Sequence, residues 1–331
     1  MAKITIYDVA GRARVSLATV SRVLNSPEKV KKATRERVLK VIKEIGYHPN
    51  VIARGLASGK TTIVGVIISD ITRASVAQML DGILDIAAKY NYSIKLFSIS
   101  PEKDFIEAVK EIGAQQVDGV LMLNDELNED TLRNVVDFFE GNAIPLVLAN
   151  AFSLKQEIPC VAIDYKNAAY EATKMLLDDG RKNIHFISTI RKYSVNEAKE
   201  EGYTKAIVEA GLEPKIFRTS GEVSLNAKHF QQFLESNLID AVLGSRDSIS
   251  VSFLNEARNK GLNVPDDIAV ISFQNTKYSM LSLPTLTSID IPVYDVGAVA
   301  MRYLTKLMNN EKVEEHNVIL PHKIIKRNSS R

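Results

Sequence analysis

Residues able to do covalent or metal chemistry are few in this chain and do not sit together. His48, His185, His229, His316 and His322 have no metal-ligand spacing, and Cys160, the single cysteine, has no activating motif around it. Gly59-Lys60-Thr61-Thr62 has the form of the end of a phosphate loop. However, the glycine required five residues earlier is Arg54, and the segment precedes a strand pattern instead of following one. The sequence therefore predicts no catalysis, no cofactor and no metal.

Recognition chemistry is concentrated near the N-terminus. Ile6-Tyr7-Asp8-Val9-Ala10 is followed by Val15-Ser16-Leu17-Ala18-Thr19-Val20-Ser21-Arg22-Val23-Leu24-Asn25. The spacing predicts two helices joined by a tight turn, a helix-turn-helix whose second helix enters the DNA major groove. Leu17, Ala18 and Arg22 fall on its outward face. Arg22 can pair in bidentate fashion with guanine, discriminating by roughly 1–3 kcal/mol, while Leu17 and Ala18 offer apolar contacts. Ser16, Thr19, Ser21 and Asn25 suit phosphate contacts. The rival reading is a capped helical hairpin with no ligand. Charge favours the first: Met1 to Thr61 carry 13 Lys and Arg against 4 Asp and Glu, whereas the rest carries 29 against 36. The basic end is suited to double-stranded DNA and the acidic remainder is not.

Three helices must position these side chains. Ile6 to Arg14, opened by Thr5 as N-cap, puts Val9, Ala10 and Ala13 on one face; Ser16 caps a second helix through Leu24 with Val20 and Val23 inward. A third, Thr34 to Ile45, turns Val38, Leu39, Ile42 and Ile45 inward and stops at Gly46. After Pro49-Asn50, Val51 to Ser58 could add a helical turn or two, but so short a helix needs a partner to be stable.

From Thr62 onward apolar runs alternate with helical patterns: Ile63 to Ile68, Ser93 to Phe97, Gly119 to Leu123, Pro145 to Leu148, Val161 to Ile163, Ile184 to Ile187, Ala241 to Leu243 and Ile268 to Phe273. Buried strands separated by helices predict an α/β core of doubly wound parallel sheets in two lobes. The expected organisation is a headpiece over 1–48, a hinge helix and linker over 49–61, a first lobe of 62–161 plus 291–322, and a second of 162–290 plus 323–331. With 45% hydrophobic and 25% charged residues, the 331-residue chain has an ordinary globular composition. A lone cysteine and the absence of a charged-then-apolar leader lead us to expect a reducing cytoplasm, with the protein nucleoid-associated. No apolar run approaches the roughly 20 residues of a spanning helix, so no membrane partner is expected.

The headpiece segment, with Tyr47-x-Pro-Asn50 and Ala53-Arg54-Gly55-Leu56-Ala57-Ser58, resembles the lactose-repressor family of bacterial transcription regulators, and the resemblance runs through essentially the whole chain. It implies an all-α helix-turn-helix headpiece on a periplasmic-binding-protein-like core, acting as a homodimer on a pseudo-palindromic operator. It puts Thr5, Tyr7, Tyr47, Asn50, Ala53 and Arg54 on the DNA side. Leu56 takes the position of a leucine that wedges into the minor groove from a hinge helix folded only on DNA; the alternative for Leu56 is an ordinary packed leucine. A wedge of this kind unstacks a base step at a cost of a few kcal/mol.

Near the other end, Tyr294-Asp295-Val296-Gly297-Ala298-Val299-Ala300-Met301-Arg302, continuing Leu304-Thr305-Lys306, with Leu320-Pro321-His322, is similar to the branch of that family acting in carbon catabolite control in low-GC Gram-positive bacteria. The corepressor of that branch is the serine-phosphorylated phosphocarrier HPr. The resemblance implies that Tyr294, Asp295, Met301, Arg302 and Lys306 lie on a docking face. Independently, residues 294, 298, 301, 302 and 305 recur at helical spacing, which brings in Ala298. The helix Ala74 to Tyr90, with Asp81, Leu84 and Asp85, would supply the other half. The alternative is that this stripe packs on the core.

The inter-lobe cleft departs from sugar- and purine-binding members of the family. Their Arg-x-x-Gly-aromatic, paired-acid and Gly-aromatic-Asp elements here read Lys199-Glu200-Glu201-Gly202-Tyr203, Ser245-Arg246-Asp247 and Ser272-Phe273-Gln274-Asn275. Lys199, Arg246, Asp247 and Gln274 form the possible effector cleft, depleted of groups that clamp a sugar, which favours a protein corepressor. Three alternatives stay open: the same architecture regulated by a small sugar or sugar phosphate, a paralogue with altered input, and a sugar-binding protein with no DNA role.

Overall fold

The structure, a computed structural model, describes residues 4–47, 60–99, 105–123, 129–152, 158–190, 194–313 and 315–331. The chain forms two compact units, Met1–Thr62 and Ile63–Arg331.

In the first unit, α1 (Ile6–Ala13), α2 (Leu17–Asn25) and α3 (Lys32–Ile45) enclose a small core. The Asp8 carboxylate accepts from both the N–H and the hydroxyl of Thr5, each at 2.8 Å, which fastens the start of α1. Ser16 Oγ accepts the Thr19 N–H at 3.2 Å and starts α2; Gly46, at φ 65°, ends α3 in the left-handed conformation that glycine adopts without strain. Val9, Val20 and Val38 are fully buried, and each is worth roughly 1.5–3 kcal/mol in a core this small. One expectation fails: Leu39 is 47% exposed and Val41 is buried in its place. Val38, Val41, Ile42 and Ile45 follow the i, i+3, i+4, i+7 rule, and Leu39 lies about 100° round the helix from Val38.

The second unit holds two six-stranded sheets. The first comprises β1 (Ile63–Ile68), β2 (Ser93–Ser98), β3 (Gly119–Met122), β4 (Leu146–Ala149), β5 (Cys160–Ile163) and β11 (Asn317–Leu320), in the order β11-β5-β4-β3-β1-β2, all parallel. The second comprises β6 (Ile184–Thr189), β7 (Lys215–Thr219), β8 (Ala241–Gly244), β9 (Ala269–Gln274), β10 (Thr287–Asp290) and β12 (Lys323–Ile325), in the order β12-β10-β9-β8-β6-β7, parallel except for the antiparallel edge strand β12. β5 belongs wholly to the first sheet, so the chain crosses to the second lobe at Asp164 and not after Val161 as the spacing suggested. It returns at Ile291-Pro292 and crosses again at Pro321-His322. In doubly wound sheets of this order, ligands bind outside the carboxyl ends of the strands, which here border the cleft between the lobes.

In the first lobe, helices α4 (Ala74–Lys89) and α12 (Val293–Met308) pack against each other along their length. They cross at glycines. A Cβ on Gly82 would collide with the Tyr294 carbonyl oxygen, and one on Gly297 with that of Met79. In the second lobe α7 (Tyr165–Asp178) and α8 (Ser194–Glu209) pack together in the same way, with Gly202 against the Lys166 carbonyl.

Candidate DNA-binding and regulatory sites

The headpiece presents Tyr7, Ser16, Leu17, Ala18 and Arg22 to solvent along one side, with Thr19 and Ser21 half-buried beside them. Ser16 and Thr19 share a hydroxyl–hydroxyl bond of 2.9 Å, so the cap that starts α2 also orders two of the four groups expected to meet phosphate. Thr5 is exposed and held by Asp8, whose carboxyl the Thr5 N–H and hydroxyl keep below the usual carboxylate value. Asn25 closes α2. Tyr47 requires a correction. The residue is 8% exposed and packs in the headpiece core, because α3 ends at Ile45 and, past the Gly46 cap, the Tyr47 N–H folds back onto the Ile42 carbonyl. Asn50, Ala53, Arg54 and Leu56, and with them nearly all of the expected hinge, lie outside the described residues.

On the first lobe, α4 and α12 form one face. The Tyr294 hydroxyl donates to Asp85 Oδ2 at 2.6 Å, and Asp81, Leu84, Asp85, Tyr294, Asp295, Arg302 and Lys306 are exposed around it; Ala298 is half-buried. That bond to Asp85 pushes the Tyr294 phenol pKa up. Met301 does not belong to this surface. It is fully buried, and its carbonyl accepts the hydroxyl of buried Thr305 at 2.8 Å. The ridge Gly297, Met301, Thr305 is the one that α12 turns into the lobe, whereas Asp295, Arg302 and Lys306 recur at i, i+7 and i+11 on the outer side. The face is divided by charge, with Asp81, Asp85 and Asp295 toward the start of α12 and Arg302 and Lys306 toward its end.

At the cleft, Lys199 is only 4% exposed. Its Nζ donates to the Ser245 carbonyl at 3.1 Å and stands 4.7 Å from the ring centre of Phe273 and 5.1 Å from that of Tyr165. Arg246 donates to the Gly221 carbonyl at 2.6 Å. Burial would raise the carboxyl of Asp70, across the cleft, but the Thr72 hydroxyl and N–H and the cations Arg73 and Arg246 together hold it low. Asp247 opens α10 (Asp247–Asn259) and accepts the N–H and hydroxyl of Thr276 at 2.5 and 2.9 Å; burial pushes its carboxyl up to about 6. Gln274 ends β9 at φ 99°. Lys199, Asp247 and Arg246 thus gather at one strand-end cluster, while Gln274 lies at its rim.

Spacing gave no sign of two groups here. One is the aromatic set Phe152, Tyr165 and Phe273; the other is the relay in which Arg327 donates to Asn275 Oδ1 at 2.6 Å and Asn275 Nδ2 donates to Asp290 at 2.8 Å. An aromatic residue at the first position of the helix that follows a strand, as at Tyr165 after β5, was the one available signal for the first.

Among the described residues no group of three His, Cys, Asp or Glu is placed to hold a metal. His185 packs edge-on against Phe233, His229 lies by the Thr219 hydroxyl, and His322 by Glu171. Burial pushes the Cys160 thiol up to about 11, which makes it a poor nucleophile. No helix among the described residues is long and apolar enough to cross a membrane.

Known proteins resemble this chain along nearly its whole length. The family described as bacterial regulatory proteins, lacI family, matches residues 5–50, and the periplasmic binding protein-like domain matches residues 173–330. The chain is 40% identical over 334 residues to catabolite control protein A of Priestia megaterium, covering 99% of both chains. It is 39% identical over 330 residues to the HTH-type transcriptional regulator pepR1 of Lactobacillus delbrueckii subsp. lactis, covering 99% of this chain and 98% of that one. The crystal structure of transcription regulator CcpA of Lactococcus lactis is 33% identical, with a TM-score of 0.72 over 81% of this chain and 99% of that one. The lac repressor dimer bound to operator and the anti-inducer ONPF, 23% identical, has the same fold at a TM-score of 0.87 over 99% of both chains. A sugar-binding protein with no DNA role is thereby set aside: the chain belongs to the lacI family of bacterial DNA-binding transcription regulators, which are not enzymes.

Proposed function

We propose that this regulator acts in carbon catabolite control, binding a pseudo-palindromic operator as a homodimer and gaining affinity when serine-phosphorylated HPr docks on the α4/α12 face. The observation that carries the reading is the pair Arg302 and Lys306, exposed one helical turn apart on a helix bonded to its neighbour through Tyr294 and Asp85. A guanidinium fork beside an ammonium suits a phosphoserine. The 40% identity to a catabolite control protein A supports the same assignment. Exposed Tyr278, Met280, Leu281 and Leu283 make an apolar patch on the second lobe that supports pairing with a second copy. Two-fold symmetry then matches two half-sites. Docking shifts the first lobe and draws the paired hinges, residues 49–61, together on DNA, a coupling of about 1–3 kcal/mol. The setting is the cytoplasm, at the nucleoid.

A second reading keeps the architecture and puts a small sugar or sugar phosphate in the cleft. Ser245 Oγ and Asp247 Oδ1, both buried, have no hydrogen-bond partner among the described residues and favour it.

The test is operator binding at fixed salt, since salt alone moves such affinities by orders of magnitude, with and without serine-phosphorylated HPr. A gain with the phosphoprotein, absent with unphosphorylated HPr and lost in Arg302→Glu at unchanged basal binding, is expected. Operator binding indifferent to HPr would transfer the search to the cleft. Equal loss of basal and enhanced binding in Arg302→Glu would remove the docking assignment.

A further inference from the structure

We propose that Lys199 is the cleft's own tethered ligand: its ammonium fills the cage at the cleft floor, fastens the second lobe to an aromatic column reaching into the first, and so makes the core closed and indifferent to small effectors. The inference is independent of HPr and of DNA.

A lysine is among the residues least often buried, because its ammonium loses hydration unless other groups replace it. Here they do. The ammonium of Lys199 faces the rings of Phe273 and Tyr165 and donates to the Ser245 carbonyl. Two aromatic faces and an oxygen are the chemistry by which proteins capture free alkylammonium ions; in this chain the ion arrives on a side chain of α8. The cage also spans the lobe junction. Tyr165 stacks at 6.4 Å and 23° on Phe152, which follows β4 in the first lobe, and its other neighbour at 6.3 Å is Phe273 of the second. The Tyr165 hydroxyl donates to Asn150 Oδ1 of the first lobe. Helix α8 grips the same column a second time, where Ser194 Oγ donates to the Phe152 carbonyl at 3.0 Å. The lobes are therefore joined through an aromatic stack whose second-lobe end rests on a cation, in the place where a clamp for a diffusible ligand would otherwise stand.

Truncating Lys199 to alanine deletes three methylenes and the ammonium, the outline of n-propylammonium. The experiment uses the full-length Lys199→Ala and Lys199→Met proteins, read by small-angle X-ray scattering, hydrogen exchange and thermal unfolding, with n-propylammonium chloride titrated against sodium chloride and n-butanol at matched concentration. Expected is a larger radius of gyration for Lys199→Ala, reversed by n-propylammonium, with a saturable rise of about 3 °C or more in unfolding temperature that neither control reproduces. The unsubstituted protein should not respond. A folded Lys199→Ala that ignores n-propylammonium overturns the proposal. If Lys199→Ala does not fold, Lys199→Met decides: faster exchange around Phe152 and Tyr165 supports the cage as a lobe fastener, and exchange equal to the unsubstituted protein overturns it, since methionine fills the space without the charge.

Discussion

The hydroxyl of Tyr294 donates to Asp85 at 2.6 Å, joining residues 209 positions apart in sequence. It does so directly beside the helix crossing at Gly82 and the Tyr294 carbonyl. The backbone of Tyr294 thus sets how closely α4 and α12 approach, and its side chain sets how they are rotated about each other. Any partner that touches both Asp81 and Arg302 reads a surface whose geometry this single residue fixes twice.

Tyr294→Phe separates the two roles. It keeps the ring and the crossing and removes only an exposed hydrogen bond, so thermal unfolding should stay close to that of the unsubstituted protein. The enhancement of operator binding by serine-phosphorylated HPr should fall, with basal binding unchanged, in fluorescence anisotropy at fixed salt. An undiminished enhancement would mean that the Tyr294–Asp85 bond does not shape the docking face.

Gly82→Ala attacks the crossing itself. The added Cβ would meet backbone, which cannot swing away as a side chain can. Overpacking of this kind costs about 1–3 kcal/mol, to be measured as a lower urea midpoint at unchanged slope. Stability equal to the unsubstituted protein would show that α4 can slide, and the face could then not be rigid.

The strands that were legible in the sequence are the central ones: β1, β3, β6 and β8 are apolar runs because both faces of a parallel sheet are covered. Edges were not. β7 reads Lys-Ile-Phe-Arg-Thr and is half-buried along most of its length, so no apolar run marks it. β10 holds Thr287 and Ser288 fully buried, which hydropathy cannot anticipate; Thr287 is satisfied by the Ser329 hydroxyl and the Arg327 N–H of the C-terminal segment. Met301 failed for a related reason. Helical spacing groups residues by angle, but only packing against α4 decides which side of the stripe faces inward. Lys199 was identified as a cleft residue, yet its burial depends on Tyr165 and Phe273, brought to it from distant positions by the sheet topology.

Arg22 is the residue on which operator choice should turn. It is exposed on α2, one turn from the end, with no part in the headpiece core. Arg22→Ala should cost about 1–3 kcal/mol on a specific operator, roughly fivefold to 150-fold in affinity. Binding to nonspecific DNA and the unfolding temperature should change little. Equal losses on specific and nonspecific DNA would reassign Arg22 to phosphate contact.

Asp247 predicts a pH dependence of opposite sign to that of most carboxylates. Burial raises its folded value from 3.8 to about 6, against the lowering effect of the bonds from Thr276. A raised carboxyl binds its proton more tightly folded than unfolded, so its contribution is fully present below about pH 4 and is lost as pH rises through about 6. A shift of about two pKa units corresponds to about 3 kcal/mol. Asp247→Asn should remove this dependence between pH 4 and 6 while its amide oxygen still accepts from Thr276, and at pH 7 it should be at least as stable as the unsubstituted protein. Asp247→Ala should instead be destabilised at every pH by about 1–3 kcal/mol, because it strands the buried N–H of Thr276. Urea unfolding of both variants from pH 4 to 7 reads the difference. An Asp247→Asn protein that tracks Asp247→Ala would mean that the ionised carboxylate, and not the hydrogen-bond geometry alone, holds Thr276 in place.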